Sequence, residues 1–170
     1  SPQEAADRAI FEAQRQLNEV DEMRRVIVHS APYAIFVLNP SGVIQTINPA
    51  GERLVGYRAN ELVGRCTTQR FFDPEQVKES AHLIAMRQGE PESNAELDVL
   101  THLAKESPGV PSEWRMIRSD GSMLVAEILV TELSDEYGTL TGYLVMAHDV
   151  TLRREAEVKL EHMALHDSLT

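Results

Sequence analysis

The sequence predicts an α+β fold, and three observations carry that expectation. Glu113 to Thr151 reads as three consecutive strands joined by tight turns. Tyr33 to Ile47 reads as two more strands around a Pro-Gly turn. Between these regions, and at both ends of the chain, the residues carry helix start signals, helix stop signals or helical spacing.

Residues 1–28 lack Gly and carry only Pro2, near the start. Ala6, Ile10, Ala13, Leu17, Val20, Arg24 and Ile27 alternate at spacings of four and three, a heptad seam broken by Arg24. The spacing suits an amphipathic helix lying on its own domain. It equally suits a parallel coiled coil between two copies, with Ile10, Leu17, Val20 and Ile27 as the dimerisation residues. Both hold if the helix covers a sheet face within a dimer.

His29-Ser30-Ala31-Pro32 ends that helix, because Pro32 disfavours the α region for Ala31. Tyr33–Leu38 and Val43–Ile47 are strands, joined by Asn39-Pro40-Ser41-Gly42. Asn48-Pro49 opens a helix, with Asn as cap and Pro at the first helical position, and Gly56 stops it. Asn60 is a candidate cap for one further turn, ended by Gly64, and Arg65–Phe72 reads as irregular. Asp73-Pro74 opens a longer helix that ends at Gly89. Within residues 90–112, Asn94–Lys105 fits a strand, a short helix or both, and Ser107–Pro111 is a loop.

The strand pattern then becomes clear. Glu113–Arg118 leads into Asp120-Gly121, a strong hairpin signal, because Gly accepts positive φ at no steric cost. Met123–Leu133 places Leu124, Ala126, Ile128 and Val130 on one apolar face at period two. A turn closed by Gly138 leads to Leu140–His148. Asp149 and Thr151 are both good caps for a helix over Leu152–His166, and no Gly/Ser-rich linker separates it from the last strand. A shift in the sheet therefore has a stiff lever to push on.

Apolar content of 42% and charged content of 25% are ordinary for a soluble globular chain. The formal charge of −11 argues against nucleic acid or an anionic membrane surface as partner. One cysteine makes no internal disulfide, which fits a reducing compartment. No apolar run approaches membrane-spanning length, so a cytoplasmic domain is expected, with any membrane anchor upstream. A chain that starts at Ser1 and stops abruptly at Thr170 reads as a piece cut from a longer protein.

Three segments in combination resemble a PAS (Per-Arnt-Sim) domain: NPSGVIQTINPAGERLVGYRANELVGR, EWRMIRSDGS and GYLVMAHDVTLRREAE. Asp149-Val150-Thr151 matches the Asp-Ile/Val-Thr signature that ends the family's last strand. The resemblance implies a five-stranded antiparallel sheet with helices on one face and, often, a ligand between them. It places a PAS domain at 29–151, an N-terminal helix at 1–28 and a signalling helix at 152–166. His166-Asp167-Ser168-Leu169-Thr170 is similar to the Asp-x-Leu-Thr entry of a GGDEF domain, the diguanylate cyclase fold. The signature loop and the metal and GTP sites of that fold are absent, so this chain is not expected to be catalytic. The implied parent is a bacterial cyclic di-GMP enzyme regulated by its PAS module. The alternative output is a sensor histidine kinase, whose motif resembles His-Glu-x-Arg-Thr-Pro: the last residues have an acid, Asp167, after His166 and Thr170 at the right place, but Leu169 replaces the basic residue.

The candidate cavity residues are Cys66, Phe71, His82, Trp114, Met116, Tyr143 and Val145. Asp149, Val150 and Thr151 are the candidates for signal transmission. Cys66 invites comparison with flavin-binding light sensors, but Gly64–Gln69 lacks their Asn-Cys-Arg-Phe-Leu-Gln pattern, and a small buried thiol fits better. His82 invites comparison with haem-binding PAS domains, but Lys78 occupies the position of their ligand. No cofactor is expected, haem and flavin being weighed and set aside. Both sheet faces are substantially apolar, since Leu144, Met146 and His148 share one face of the last strand and Tyr143, Val145 and Ala147 the other. One face therefore needs a cover, either the N-terminal helix or a second copy. Glu113, Arg115 and Arg118 could orient a polar ligand, but charged strand residues usually face water. The partners expected are a second copy, the C-terminal output domain and a small-molecule ligand. A ligand-free structural dimerisation domain is the competing reading. Cavity volume separates the two: a polar-lined space argues for a sensor and a packed interior for a scaffold.

Overall fold

The computed structural model describes residues 1–15, 33–91, 94–106 and 109–168. Residues 2–15 form the first helix, α1, with exposed side chains, Ile10 and Phe11 among them. Leu17, Val20, Arg24 and Ile27, the rest of the expected seam, lie outside the described residues.

The sheet holds β1 (Ala34–Leu38), β2 (Ile44–Ile47), β3 (Ser112–Ile117), β4 (Met123–Ser134) and β5 (Leu140–Asp149) in the order β2-β1-β5-β4-β3. All neighbouring pairs are antiparallel. The hairpins β1–β2, β3–β4 and β4–β5 follow the turn chemistry read from the sequence. Asp120 Oδ1 accepts from Ser122 N at 2.9 Å, and Asp135 Oδ1 accepts from Tyr137 N and Thr139 N, each at 2.9 Å. The closing contact is β1 against β5, running from Ala34↔Ala147 to Leu38↔Tyr143. There Gly142 lies so close to β1 that an added Cβ would sit 1.9 Å from the Leu38 carbonyl oxygen.

The helices are α2 (Pro49–Val55), α3 (Ala59–Leu62), α4 (Pro74–Gln88), α5 (Ala95–Glu106) and α6 (Thr151–Ser168), with a 3₁₀ turn at Thr68–Arg70. Asn48 is buried and ties the start of α2 to β1. Its Oδ1 accepts from Gly51 N (2.9 Å) at the start of α2 and from Ile35 N (2.8 Å) on β1, and its Nδ2 donates to Tyr33 O (2.8 Å). The short helix α3 starts one residue before Asn60, the expected cap. Its entry is fixed instead by Glu61 and Glu52, whose carboxylates accept from Arg58 N and Ala59 N at 3.0 Å each.

Asn94–Lys105, open between strand and helix in the sequence, is helical as α5. Glu96, Val99 and Leu100 are buried at helical spacing, and Asn94 Oδ1 accepts from Leu97 N at 3.3 Å. Helices α2, α4 and α5 cover one sheet face. The core between the layers includes Phe36, Leu38, Phe71, Met116, Ile128 and Val145. The other sheet face carries Val37, Leu129, Leu144 and Met146, all half-buried.

Candidate functional site

A cavity of about 30 Å³ lies between the helical layer and the sheet. Phe72, Val77, Val99, Leu100, Leu103, Trp114, Ile128, Val130 and Val145 wall it, with Thr68, Gln69 and Glu96 completing the lining. That volume suits a water or two and falls well short of a bound organic molecule. By the criterion set from the sequence, the interior is packed.

Trp114 and Val145, both chosen from the sequence, line the cavity. Trp114 is held in place by Nε1–H donating to Ser112 Oγ at 2.8 Å. Phe71, Met116 and Tyr143 are buried in the same core but do not line the space. Phe71 packs against Phe36 and Phe72 at ring separations of 5.1 and 5.6 Å. Tyr143 Oη lies 3.2 Å from Thr101 Oγ1 and so ties α5 to the sheet.

Two candidates lie elsewhere. Cys66 is half-buried rather than buried, with its thiol donating to Glu61 O at 3.6 Å. His82 is exposed on α4, beside Lys78, Glu75 and Glu79. The buried stripe of α4 is Val77 and Ala81, and Lys78 and His82 each follow one residue later, about 100° round the helix. Sequence reading missed the α5 wall. The spacing of Glu96, Val99, Leu100 and Leu103 carried that signal once the segment was read as a helix.

The three charged residues of the Glu113–Arg118 segment are engaged in ion pairs. Arg115 Nε meets Asp73 Oδ2 at 2.7 Å, and Gln76 Oε1 accepts from Arg115 N at 2.7 Å, so the start of α4 binds the β3 edge. Arg118 reaches Asp149 Oδ2 (3.4 Å), Leu54 O (3.3 Å) and Ser122 Oγ (3.2 Å). Glu113 Oε2 pairs with Arg154 Nη1 of α6 at 3.1 Å.

The junction between sheet and α6 is a short latch. Asp149 Oδ1 accepts from Thr151 N at 2.9 Å. Val125 O accepts from Val150 N at 2.9 Å, and Val150 is buried. Thr151 opens α6 without using its hydroxyl as a helix cap. Its Oγ1 accepts instead from Val125 N at 3.0 Å. In the β3–β4 turn, the Ser122 hydroxyl donates to Asp120 at 2.6 Å and, with the Ser122 amide, holds that exposed carboxyl below the usual range. Among the described residues, no cluster of His, Cys, Asp and Glu is arranged to hold a metal ion, and no helix is long and apolar enough to cross a membrane.

The family model described as PAS fold matches residues 22–150. Two-component system protein A of Emericella nidulans is 29% identical over 142 residues, which cover 81% of this chain and 18% of that protein. Signal transduction histidine-protein kinase AtoS of Escherichia coli is 25% identical, over 85% of this chain and 20% of the kinase. C4-dicarboxylate transport sensor protein DctS of Rhodobacter capsulatus is 26% identical, over 85% of this chain and 20% of that protein. The chain thus spans about a fifth of the length of these relatives. Among solved structures, the PAS domain of an HTR-like protein from Haloarcula marismortui superposes with a TM-score of 0.56 at 23% identity. It covers 82% of this chain and 98% of that one. With the sheet order, the helical layer and the Asp-Val-Thr junction in place, the match over residues 22–150 makes the chain a member of the PAS-fold family.

Proposed function

We propose that the chain is a sensory and dimerisation module that regulates an output domain following α6. The observation that carries this reading is the latch at Asp149–Thr151. Residues of β3, β4 and β5 share hydrogen bonds and an ion pair with the first turn of α6 there, so a change in sheet geometry reaches the helix directly. The mechanism is a population shift: a ligand or partner that favours one sheet geometry also favours one exit angle. By the cavity criterion, the packed interior favours the competing reading, a ligand-free structural dimerisation domain.

Dimerisation is supported by exposed apolar side chains. Val158, Leu160, Met163 and Leu165 of α6 are exposed, as is Ile10 of α1. The half-buried outer sheet face, with Leu144 and Met146, offers a further surface for a second copy. The output reading rests on the resemblance of His166–Thr170 to a GGDEF entry, which makes regulation of a diguanylate cyclase the primary proposal. A histidine kinase output is the second reading, favoured by a relative that is itself a histidine kinase. A cytoplasmic location follows from either.

Native mass spectrometry of the freshly purified chain tests the module reading. A dimer carrying mass that denaturation removes supports a ligand-bound sensor, and a clean dimer supports a scaffold at rest. A monomer removes the dimerisation role from this segment.

A further inference from the structure

Helix α5 closes the cavity at a visible cost to itself. Glu96 is 8% exposed and lines the space, yet its partners are neutral: Oε1 accepts from Thr68 Oγ1 and from Gln69 N at 3.2 Å. Among the described residues no cation pairs with the carboxylate. A buried carboxylate without a countercharge is an expensive arrangement. On the same helix, His102 Nδ1 is buried and has no hydrogen-bond partner among the described residues. Helix α5 is held to the core by buried Val99 and Leu100, and its polar ties include the Thr101–Tyr143 contact and an exposed Lys105–Glu132 pair at 3.9 Å.

Behind α5 lies a groove of about 190 Å³ between α4 and α5, and it shares Val99, Leu103 and Trp114 with the inner cavity. An outward shift of α5 would join the two spaces through these shared walls. The merged site would present an acidic group at Glu96, the aromatic faces of Trp114 and Phe72, and aliphatic walls.

From this juxtaposition we propose that the space under α5 is a binding site for a small protonated amine with an apolar body. The ammonium group supplies the cation Glu96 lacks and lies near aromatic rings that favour positive charge. The apolar body fills the space beside Val130 and Val145. The net charge of −11 raises the local concentration of cations at the entrance. The proposal rests on the sensory reading and adds the ligand class to it.

The test uses the full 170-residue chain with benzylammonium as the probe and benzyl alcohol as its neutral isostere. Binding is followed by calorimetry and by chemical shifts of α5 amides. The expected result is that benzylammonium binds at least about tenfold more tightly than benzyl alcohol, a preference that Glu96→Gln abolishes. Val99→Ala, which enlarges the space, should tighten both. Equal binding of the two probes, or a preference that survives Glu96→Gln, overturns the amine assignment while leaving the sensory reading intact. Failure of both probes to bind wild type and a folded Val99→Ala variant overturns the site itself. The native mass measurement above bears on the sensory reading independently.

Discussion

Replacing Thr151 with Val removes one hydroxyl from the latch and keeps the side chain's shape. The consequence can be worked atom by atom. Val125 O keeps its partner, because Val150 N still donates to it at 2.9 Å. Val125 N, which donates to Thr151 Oγ1 at 3.0 Å, loses its acceptor in a half-buried position. Such an orphaned amide costs about 1–2 kcal/mol. For a domain of this size that lowers the melting temperature by roughly 3–8 °C. Thermal unfolding followed by circular dichroism reads the loss, and amide exchange at Val125 and in the first turn of α6 locates it. Thr151→Ser, which keeps the hydroxyl, should retain most of the stability and the exchange protection. A Thr151→Val protein that melted with wild type and protected Val125 equally well would show that the hydroxyl carries no latch.

Gly142→Ala should prevent stable folding, or leave a species with β1 undocked. Its Cβ would meet the Leu38 backbone at 1.9 Å, and neither strand can retreat without breaking the β1–β5 ladder; proton NMR dispersion and gel filtration report the outcome. Ser122→Ala should raise the Asp120 pKa toward the ordinary carboxylate range, as read by carbon-detected NMR titration. The sign follows from linkage: a lowered folded pKa contributes stability above the unfolded value and loses it as the pH falls through the folded one. Because Asp120 is fully exposed, the accompanying change in stability should be slight.

The legible parts of this fold are those whose cause is local. Asp120-Gly121 and Gly138 announced their turns, and Asn48-Pro49 and Asp73-Pro74 announced their helices, because each signal acts within a few residues. Where the strand ends moved, they moved by one residue. β3 stops at Ile117 because Arg118 N turns to bond Ser122 O, and β5 runs on to Asp149. The α5 helix was ambiguous because its identity is decided by burial against α4 and β4, which are distant in sequence. Asn94 as its cap and the Glu96–Leu103 spacing were the local hints. The β1–β5 pairing joins segments about 110 residues apart, and no turn residue encodes it. For the site, Trp114 and Val145 were readable from strand alternation. His82 and Cys66 were singled out by chemistry alone, and backbone rotation turned His82 to the outside.

A change at the cavity wall should be felt by the exit helix. Trp114 lines the cavity, and its neighbour Glu113 grips Arg154 of α6. The most direct measurement is a spin-label distance between Glu79 on α4 and Val158 on α6, both exposed, in a Cys66→Ser background. It is compared between the wild-type core and Trp114→Leu. A shifted or divided distance distribution in a Trp114→Leu protein that remains folded is the predicted result. Superimposable distributions would contradict the account, because the wall would then have changed without the helix responding.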